Sequence, residues 1–376
     1  MSDTDTSAAV AHEAPEFVRL GWDDLPGWQD DDHGAAFQAF LTTAKRAATK
    51  PYKTRTLGVD GARLRDIGNV AIELGDVSSD AARRFFEEHF EPYRLDVTLG
   101  GHLTGYYEPV VSASRERTPT HTFPILRRPD DLVDLDETNR PVHLADHIRF
   151  GRRLPDGSVD AYFERSEIEG DGAHNGVLAN RGLELAWVED PMDAYFVHIQ
   201  GSARLALTDG SEMRITYAAK SGHDYSSIGK ALLAKAELAS DDLTMASLRR
   251  WFRDNSERRT HITWLNRSYI FFEEVQIDDP ALGPIAEAKV PLSPGRSLAV
   301  DRTLHTYGTP IFVMADGSDR VLQGSSNRLV IAQDTGSAIV GPARGDLFVG
   351  TGDAAGELAG AINCPARFVV LMPREV

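Results

Sequence analysis

Apolar residues recur at helical spacing in the first hundred positions. Between residues 35 and 44, alanine, phenylalanine and leucine fall three or four positions apart, and Pro51 follows the run. This period predicts an amphipathic helix that ends before the proline. A second helix is predicted over Asp80–His89, with Phe85 and Phe86 on its inner face.

The remaining pattern is mostly that of short strands. Helical spacing returns over Ser226–Leu238 and Leu243–Asp254, but elsewhere short apolar or alternating runs are bounded by Gly, Pro and Asp. The predicted strands are Arg94–Leu99, Ala194–Ile199, Glu212–Tyr217, Ser268–Phe272, Ser297–Val300, Pro310–Met314, Leu329–Ala332, Leu347–Val349 and Phe368–Leu371. Such short, closely spaced strands favour a small barrel or sandwich over a parallel α/β sheet.

Composition narrows the class of protein. The chain has 376 residues, 41% of them hydrophobic and 26% charged, which is enough for two domains with ordinary cores. Its net charge of -17 makes nucleic acid a poor first candidate for a partner. A single cysteine, Cys364, excludes an internal disulfide. No apolar run reaches about 18 residues, so no membrane span is predicted.

The first sixteen residues are acidic and rich in Ala, Ser and Thr. They lack both the positive region and the apolar region of a signal peptide, so the sequence as it stands predicts none. Residues 1–16 are expected to be disordered.

Asp334 stands at the end of an apolar strand and opens an Asp-Thr-Gly-Ser run. An aspartic protease needs two such carboxylates, and neither a second copy nor room for a second lobe after Ser337 is present. Partial desolvation at a strand end favours the protonated carboxyl, which suits a general acid. The alternative is an Asp that only caps the turn.

Three other motifs are better explained by structure than by chemistry. Gly350-Thr351-Gly352 has the wrong spacing for a dinucleotide loop and predicts a tight turn. His143 and His147 are four residues apart but lack the adjacent glutamate of a zinc helix, so no metal site is predicted. Ser202 and Ser221 lack the glycine pattern of a nucleophile elbow.

Aromatic, amide and basic residues cluster in three short stretches. A sugar-binding groove needs ring faces for the apolar side of a pyranose and polar groups for its substituents. Each stretch alone is typical of a β-turn, but together they favour a glycan site. The residues predicted to bind substrate are Tyr106, Tyr107, Gln200, Gly201, Ser202, Lys220 and His223.

Taken in order, the motifs resemble the membrane-bound lytic murein transglycosylase A (MltA) family, whose C-terminal part is a 3D-type barrel region. The resemblance covers residues from about 100 to the C-terminus. It rests on Gly-Tyr-Tyr-Glu-Pro at 105–109, His-Ile-Gln-Gly-Ser at 198–202, Tyr-Ala-Ala-Lys-Ser-Gly-His at 217–223, residues 266–272, residues 291–302, Gly-Thr-Pro at 308–310, residues 332–339 and residues 344–352.

This resemblance implies a mainly β fold with a few helices. A double-psi β-barrel domain would comprise residues 17–104 and 266–376, and an inserted, smaller β-rich domain would comprise residues 105–265. The glycan would bind in a groove between the two. Family members are commonly exported, often with a lipid on an N-terminal cysteine, so a periplasmic or outer-membrane location is expected although neither a signal peptide nor a lipobox is present in this sequence.

The family reaction is that of a peptidoglycan lytic exotransglycosylase. Asp334 matches the family's catalytic aspartate, which protonates the bond between N-acetylmuramic acid and N-acetylglucosamine and then deprotonates the C6 hydroxyl of the same muramic residue. A 1,6-anhydro ring results. Asp346 and Asp353 are expected in supporting roles, with turn residues as the alternative. The resemblance implies no cofactor and no metal, and as partners peptidoglycan glycan strands and a cell-wall enzyme complex.

Two other functions remain open at this stage. One is an inverting, endoglucanase-like hydrolase in which Asp334 is the acid and Asp346 or Asp353 the base, with carboxyls roughly 6.5–9.5 Å apart. The other is a non-catalytic polysaccharide-binding module in which Asp334 only shapes a turn.

Overall fold

A computed structural model describes residues 15–98, 100–171, 175–239, 245–315 and 327–374. The helices are α1 (His33–Thr49), α2 (Gly61–Leu74), α3 (Ser79–His89), α4 (Arg165–Glu169), α5 (Pro191–Gln200), α6 (Ile228–Ala234), α7 (Met245–Asp254), α8 (Arg259–Thr263) and α9 (Asp353–Ala361). The strands are β1 (Glu16–Arg19), β2 (Phe90–Asp96), β3 (Gly101–Glu108), β4 (Val110–Ser114), β5 (Phe123–Leu126), β6 (Leu132–Asp134), β7 (Phe150–Arg153), β8 (Val159–Asp160), β9 (Glu184–Val188), β10 (Ser202–Leu207), β11 (Glu212–Lys220), β12 (Ile270–Val275), β13 (Ser297–Val300), β14 (Pro310–Ala315), β15 (Arg328–Asp334), β16 (Arg344–Thr351) and β17 (Asn363–Pro373).

The chain divides into two compact units. Unit 1 comprises residues up to 105, 286–348 and 361 onward, and unit 2 comprises residues 106–285 and 349–360. The predicted division differs from these units in two segments, 266–285 and 349–360, which the sequence assigned to the barrel. The first of them carries β12, whose ladder with β11 ties it to unit 2.

Unit 1 is built on a sheet that closes on itself. Its strands run in the order β1-β2-β17-β14-β15-β13-β16-β3, and a further pairing joins β17 to β3. Six of these strands, from β17 through β3, therefore form a ring. Every residue of β13 and β14 is buried, as expected for the wall of a filled barrel.

Helices α1 to α3 in unit 1 begin at side-chain caps. Asp32 accepts a hydrogen bond from Ala35 N, Asp60 caps α2 and Ser78 caps α3, so each helix starts where a short polar side chain satisfies free amides. The predicted helices over 35–44 and 80–89 are confirmed. Phe85 and Phe86 face inward as predicted, with 4% and 0% exposure. Helix α2 has no counterpart in the sequence prediction.

Unit 2 contains a six-stranded sheet in the order β12-β11-β10-β4-β9-β5 and a three-stranded sheet, β6-β7-β8. The six-stranded sheet has an aliphatic core that includes Val111, Ile125, Leu205 and Ile215. A separate cluster packs α5 to α8 around Phe196 and other apolar side chains.

One predicted strand is wrong, because Ala194–Ile199 lies inside helix α5. Asp190 caps this helix, Pro191 occupies its first turn, and Gly201 ends it in the left-handed conformation with φ 76°. Because the residues from Met192 to His198 are nearly all buried, the helix has no polar face to reveal its period. The predicted strand Arg94–Leu99 is displaced along the chain, since β2 begins at Phe90 and ends at Asp96.

Some predictions fall outside the described residues. These are the disorder of residues 1–14, the end of the 94–99 strand at Leu99 and the start of the 243–254 helix. Glu16, which was also expected to be disordered, begins β1 and pairs with Asp96.

Candidate active site

Asp334 is the last residue of β15, and the residue before it is firmly held. Gln333 is fully buried, and its side-chain nitrogen donates to Ala39 O at 2.8 Å and to Thr43 Oγ1 at 2.6 Å. Asp334 itself is partly exposed, and its Oδ1 accepts a hydrogen bond from Glu287 N at 3.2 Å. A rigid strand end therefore presents a carboxyl that solvent reaches.

Asp346 and Asp334 lie at the same level of the barrel, on the two strands that flank β13. Ala299 on the strand between them, β13, pairs with Asp334 on one side and with Asp346 on the other. Two strand spacings place the two Cα atoms about 10 Å apart. The register thus brings together two of the three predicted acidic residues.

Polar side chains of neighbouring residues hold the Asp346 carboxylate. Thr104 Oγ1 donates a hydrogen bond to the Asp346 carboxylate, and Arg344 Nη2 donates to Thr104 Oγ1 at 2.8 Å. Burial raises the pKa of Asp346, while the Thr104 hydrogen bond and the Arg344 charge act in the opposite direction. This carboxyl is engaged with neighbouring side chains.

Asp353 belongs to unit 2, where it is the exposed first residue of α9. A carboxylate in the first turn stabilises a helix through its dipole. Its negative charge also helps to raise the pKa of Tyr107, for which burial is the main cause and Arg249 an opposing one.

Most predicted substrate-binding residues lie at one end of the six-stranded sheet of unit 2. Ser202 begins β10, Lys220 ends the antiparallel β11, and β4, which runs parallel to β10, begins shortly after Tyr106 and Tyr107. Gln200 and Gly201 immediately precede Ser202. The fold therefore gathers these residues although the sequence separates them by about a hundred positions.

Their side chains differ in how far they are available to a ligand. Tyr107 is only 9% exposed, because its ring packs against Ala355 and Ala359 of α9. Ser202 is buried, whereas Tyr106 and Lys220 are half-buried. The Gln200 side-chain oxygen accepts a hydrogen bond from Tyr107 N at 3.5 Å.

His223 contacts the backbone of a neighbouring segment in unit 2. Its Nε2 lies 2.8 Å from Tyr162 O, and the preceding Gly222 has a φ of 87° and approaches the Phe150 backbone. Phe150 and Tyr162 belong to the core beside the three-stranded sheet. His223 is thus held by a structural contact.

The structure also brings to Asp334 residues that sequence reasoning missed. Glu287 supplies the amide that bonds Asp334, and the negative charges of Asp334 and Glu287 both act on Tyr307. The sequence carried a weak signal for Tyr307, which precedes a Gly-Thr-Pro turn. It carried none for Glu287, since only the fold brings residue 287 to residue 334.

The histidine pair singled out in the sequence is split between two carboxylates. His143 Nε2 lies 2.9 Å from Asp160 Oδ1, and His147 pairs with Asp224 at 3.2 Å. Within the described ranges, no group of three or more His, Cys, Asp or Glu side chains could hold a metal ion.

Across the described part of the chain, no helix is both long enough and apolar enough to span a membrane.

Comparisons with known proteins agree on one family. A family model for the MltA specific insert domain matches residues 102–273, and one for the 3D domain matches residues 296–372. The membrane-bound lytic murein transglycosylase A of Escherichia coli K12 is 31% identical over 274 residues, which is 72% of this chain and 65% of that protein. The chain thus matches slightly under two thirds of that relative's length.

Solved structures extend the likeness to nearly the whole chain. The membrane-bound lytic murein transglycosylase from Agrobacterium tumefaciens is 42% identical, with a TM-score of 0.88 over 96% of this chain and 98% of that one. MltA from Neisseria gonorrhoeae is 31% identical, with a TM-score of 0.78 over 98% and 95%. These similarities confirm the predicted fold class, a double-psi β-barrel with an inserted β-rich domain. The chain belongs to the membrane-bound lytic murein transglycosylase A family.

Proposed function

We propose that the protein is a peptidoglycan lytic transglycosylase that cleaves the β-1,4 bond between N-acetylmuramic acid and N-acetylglucosamine and leaves 1,6-anhydro-N-acetylmuramic acid ends. Family membership supports this activity. The observation that supports the mechanism is the partly exposed carboxyl of Asp334 at the end of β15, beside an Asp346 carboxylate that accepts a hydrogen bond from Thr104.

Asp334 acts first as an acid and then as a base. Its carboxyl gives a proton to the glycosidic oxygen while the bond from that oxygen to C1 of the muramic residue breaks. The resulting carboxylate takes the proton of the C6 hydroxyl of the same residue, and the C6 oxygen forms a bond to C1. No water enters and the proton returns to Asp334, so a single carboxyl is enough. The attacking hydroxyl is tethered, which supplies much of the rate through proximity.

An inverting hydrolase is the second candidate, because the Cα spacing of Asp334 and Asp346 is compatible with a carboxyl pair. In that reaction the second carboxylate must be ionised and must hold a water molecule. Burial of Asp346 opposes its ionisation, and the hydrogen bond from Thr104 occupies a carboxylate oxygen that would have to hold the water. The transglycosylase reaction is therefore favoured.

In this proposal, the predicted binding residues contact the glycan. Tyr106, Gln200, Gly201 and Lys220 at the end of the six-stranded sheet offer a ring, an amide, a backbone group and an ammonium to the glycan, while Asp346 and Asp353 support the fold of their segments. The partners are peptidoglycan glycan strands, attacked exolytically at the cell envelope within a wall-processing complex.

Product analysis tests the reaction. Digestion of purified sacculi should yield muropeptides that end in 1,6-anhydro-N-acetylmuramic acid, about 18 Da lighter than hydrolytic products because no water is added. Mass spectrometry distinguishes the two. Reducing-end products would exclude the transglycosylase reaction and favour the hydrolase, whereas sacculus binding without any product would favour the binding module.

Substitution of the acid tests the assignment of Asp334. Asp334→Asn keeps the shape of the side chain but cannot donate a proton, so turnover should fall by about 10²–10⁴-fold. Asp96→Asn, at an exposed strand end of the same unit, is the matched control and should retain the parent rate. More than about a tenth of the parent rate in Asp334→Asn would place the acid elsewhere.

A further inference from the structure

Tyr307 has a buried hydroxyl without a hydrogen-bond partner in the part of the chain that the structure describes. The residue is 8% exposed. A buried hydroxyl left unpaired costs about 1–3 kcal/mol, and such groups in folded proteins call for an explanation. Phenylalanine would fill the same space without that cost.

The fold fixes Tyr307 beside the end of β15. Gly308 N donates to Ala332 O at 2.8 Å, and Ala332 N donates to Thr309 O at 3.0 Å, two residues before Asp334. Gly308 has a φ of 87°, a conformation that favours glycine and turns the chain sharply after Tyr307. Backbone bonds thus set the position of the tyrosine relative to the strand end.

The ring of Tyr307 also contacts the ring of Tyr52. The Tyr52 ring meets the Tyr307 ring edge-on at 6.0 Å, and its hydroxyl donates to Ala288 O at 2.7 Å. The residue before Ala288 is Glu287, whose amide donates to Asp334 Oδ1. Tyr307, Tyr52, Glu287 and Asp334 therefore form one packed group.

The electrostatic setting keeps the hydroxyl a donor. Burial raises the pKa of Tyr307 above its usual range, and the negative charges of Glu287 and Asp334 act in the same direction, against the smaller opposing effects of the Arg302 charge and the neighbouring Thr335 hydroxyl. The nearby hydroxyl of Thr335 donates its own hydrogen to Val300 O at 2.8 Å. Tyr307 thus retains its proton across the working pH range.

We propose that Tyr307 is a positioning residue whose hydroxyl donates a hydrogen bond to the Asp334 carboxylate once that group has lost its proton. The structure itself contains no hydrogen bond between these two described residues, so the partly exposed Asp334 side chain turns toward this fixed donor as its charge develops. A hydrogen bond to the ionised form favours ionisation. Tyr307 therefore makes Asp334 a stronger acid in the first step and holds its carboxylate for the second. This inference rests on the proposed function of Asp334.

Other charges near Asp334 stay constant in the test. Glu287 is flanked by Lys289 Nζ at 3.5 Å and by Arg302 Nη1 at 3.8 Å, which offset its charge. Asp346 lies across β13, and Arg46 lies over the Tyr52 ring at 5.9 Å. Replacing Tyr307 by phenylalanine changes none of these groups, so a change in the pH profile reports the hydroxyl.

The experiment compares pH–rate profiles of full-length parent protein and Tyr307→Phe on purified sacculi. Loss of the donor should move the basic limb of kcat/KM up by about one pH unit and lower kcat about tenfold, with KM within about twofold of the parent value. Tyr93→Phe is the control, because it removes a partly buried hydroxyl in the same unit that bonds Glu91 instead. Its profile should match that of the parent.

A second probe keeps the fold intact even if phenylalanine perturbs it. Site-specific 3-fluorotyrosine at position 307 retains the ring and the hydroxyl but makes the hydroxyl a stronger donor, so the basic limb should move to lower pH. Opposite shifts for the two changes support the proposal. A Tyr307→Phe profile that superimposes on the parent profile, or two shifts of the same sign, would overturn it.

The outcome separates this inference from the proposed function. If the parent gives anhydro products and Asp334→Asn is inactive while Tyr307→Phe behaves like the parent, only the role of Tyr307 is wrong. If Asp334→Asn retains activity, the proposed acid itself is wrong and the role of Tyr307 fails with it.

Discussion

Glu108 in unit 2 is fully buried at the centre of a charged network, and removing its charge should destabilise that unit strongly. Its carboxylate accepts hydrogen bonds from Arg204 Nε at 2.8 Å, from Arg214 Nη2 at 3.0 Å and from Thr351 Oγ1 at 2.9 Å. The two guanidinium side chains are only 12% and 6% exposed. One buried carboxylate thus balances two nearly buried cations.

The expected loss of stability follows from the two guanidinium charges that Glu108→Gln leaves without a carboxylate. Each guanidinium–carboxylate attraction is about 4 kcal/mol at an effective dielectric constant near 20, and desolvation offsets part of it. Removing one partner of such a buried ion pair typically costs about 3–5 kcal/mol of stability. For a domain of this size, that corresponds to a drop in Tm of roughly 6–20 °C.

Urea unfolding of the parent and Glu108→Gln, followed by circular dichroism, measures the change. Asp134→Asn is the matched control, since Asp134 pairs with Arg128 at 2.7 Å in the same unit but is 73% exposed, and its loss should cost less than about 1 kcal/mol. Arg214→Met should also cost less than Glu108→Gln, because it leaves a balanced pair and removes two buried nitrogens that have no partner among the described residues. Equal stability of Glu108→Gln and the parent would refute the reasoning.

Two further predictions concern unit 1. Burial lowers the pKa of His305 to about 4 from 6.5, so the unfolded chain takes up a proton below about pH 6.5 that the folded chain does not. Stability should therefore fall by about 2 kcal/mol between pH 7 and pH 5 through this residue, and His305→Gln should flatten the slope in urea titrations; parallel slopes would contradict this. A Cβ at Gly61 would lie 1.9 Å from Tyr52 O, so Gly61→Ala should lower stability by about 1–3 kcal/mol or more. Gly360→Ala, which meets nothing within 4 Å in helix α9, should instead be neutral or stabilising in the same melting assay.

The sequence by itself determined the candidate acid and the strands of the C-terminal third of the chain. Asp334 could be found because a short apolar run ends in a carboxylate, which is a local signal, and the strands after residue 268 follow the same kind of signal. The family motifs supplied the order of the stretches predicted to bind glycan. Each of these features depends on residues that are neighbours along the chain.

Local reasoning failed where burial removed the pattern. Helix α5 was predicted as a strand over 194–199 because an apolar segment buried nearly all round has no amphipathic period. Its true signals were the Asp190 cap and Gly201, which lie just outside the run. Helix α2, in contrast, has a cap at Asp60 and an apolar face that the sequence analysis did not use.

Only the tertiary structure decided which side chains lie near the candidate acid. The pairing of Ala299 with both Asp334 and Asp346 depends on strand order in a closed barrel, which no local pattern encodes. The same holds for Glu287 and Tyr307, which reach Asp334 through backbone bonds between segments far apart in sequence. Burial of Tyr107 and the turn of His223 toward Tyr162 were equally hidden. Sequence fixes residue types and local periods, whereas desolvation and hydrogen-bond partners arise only when distant segments pack together.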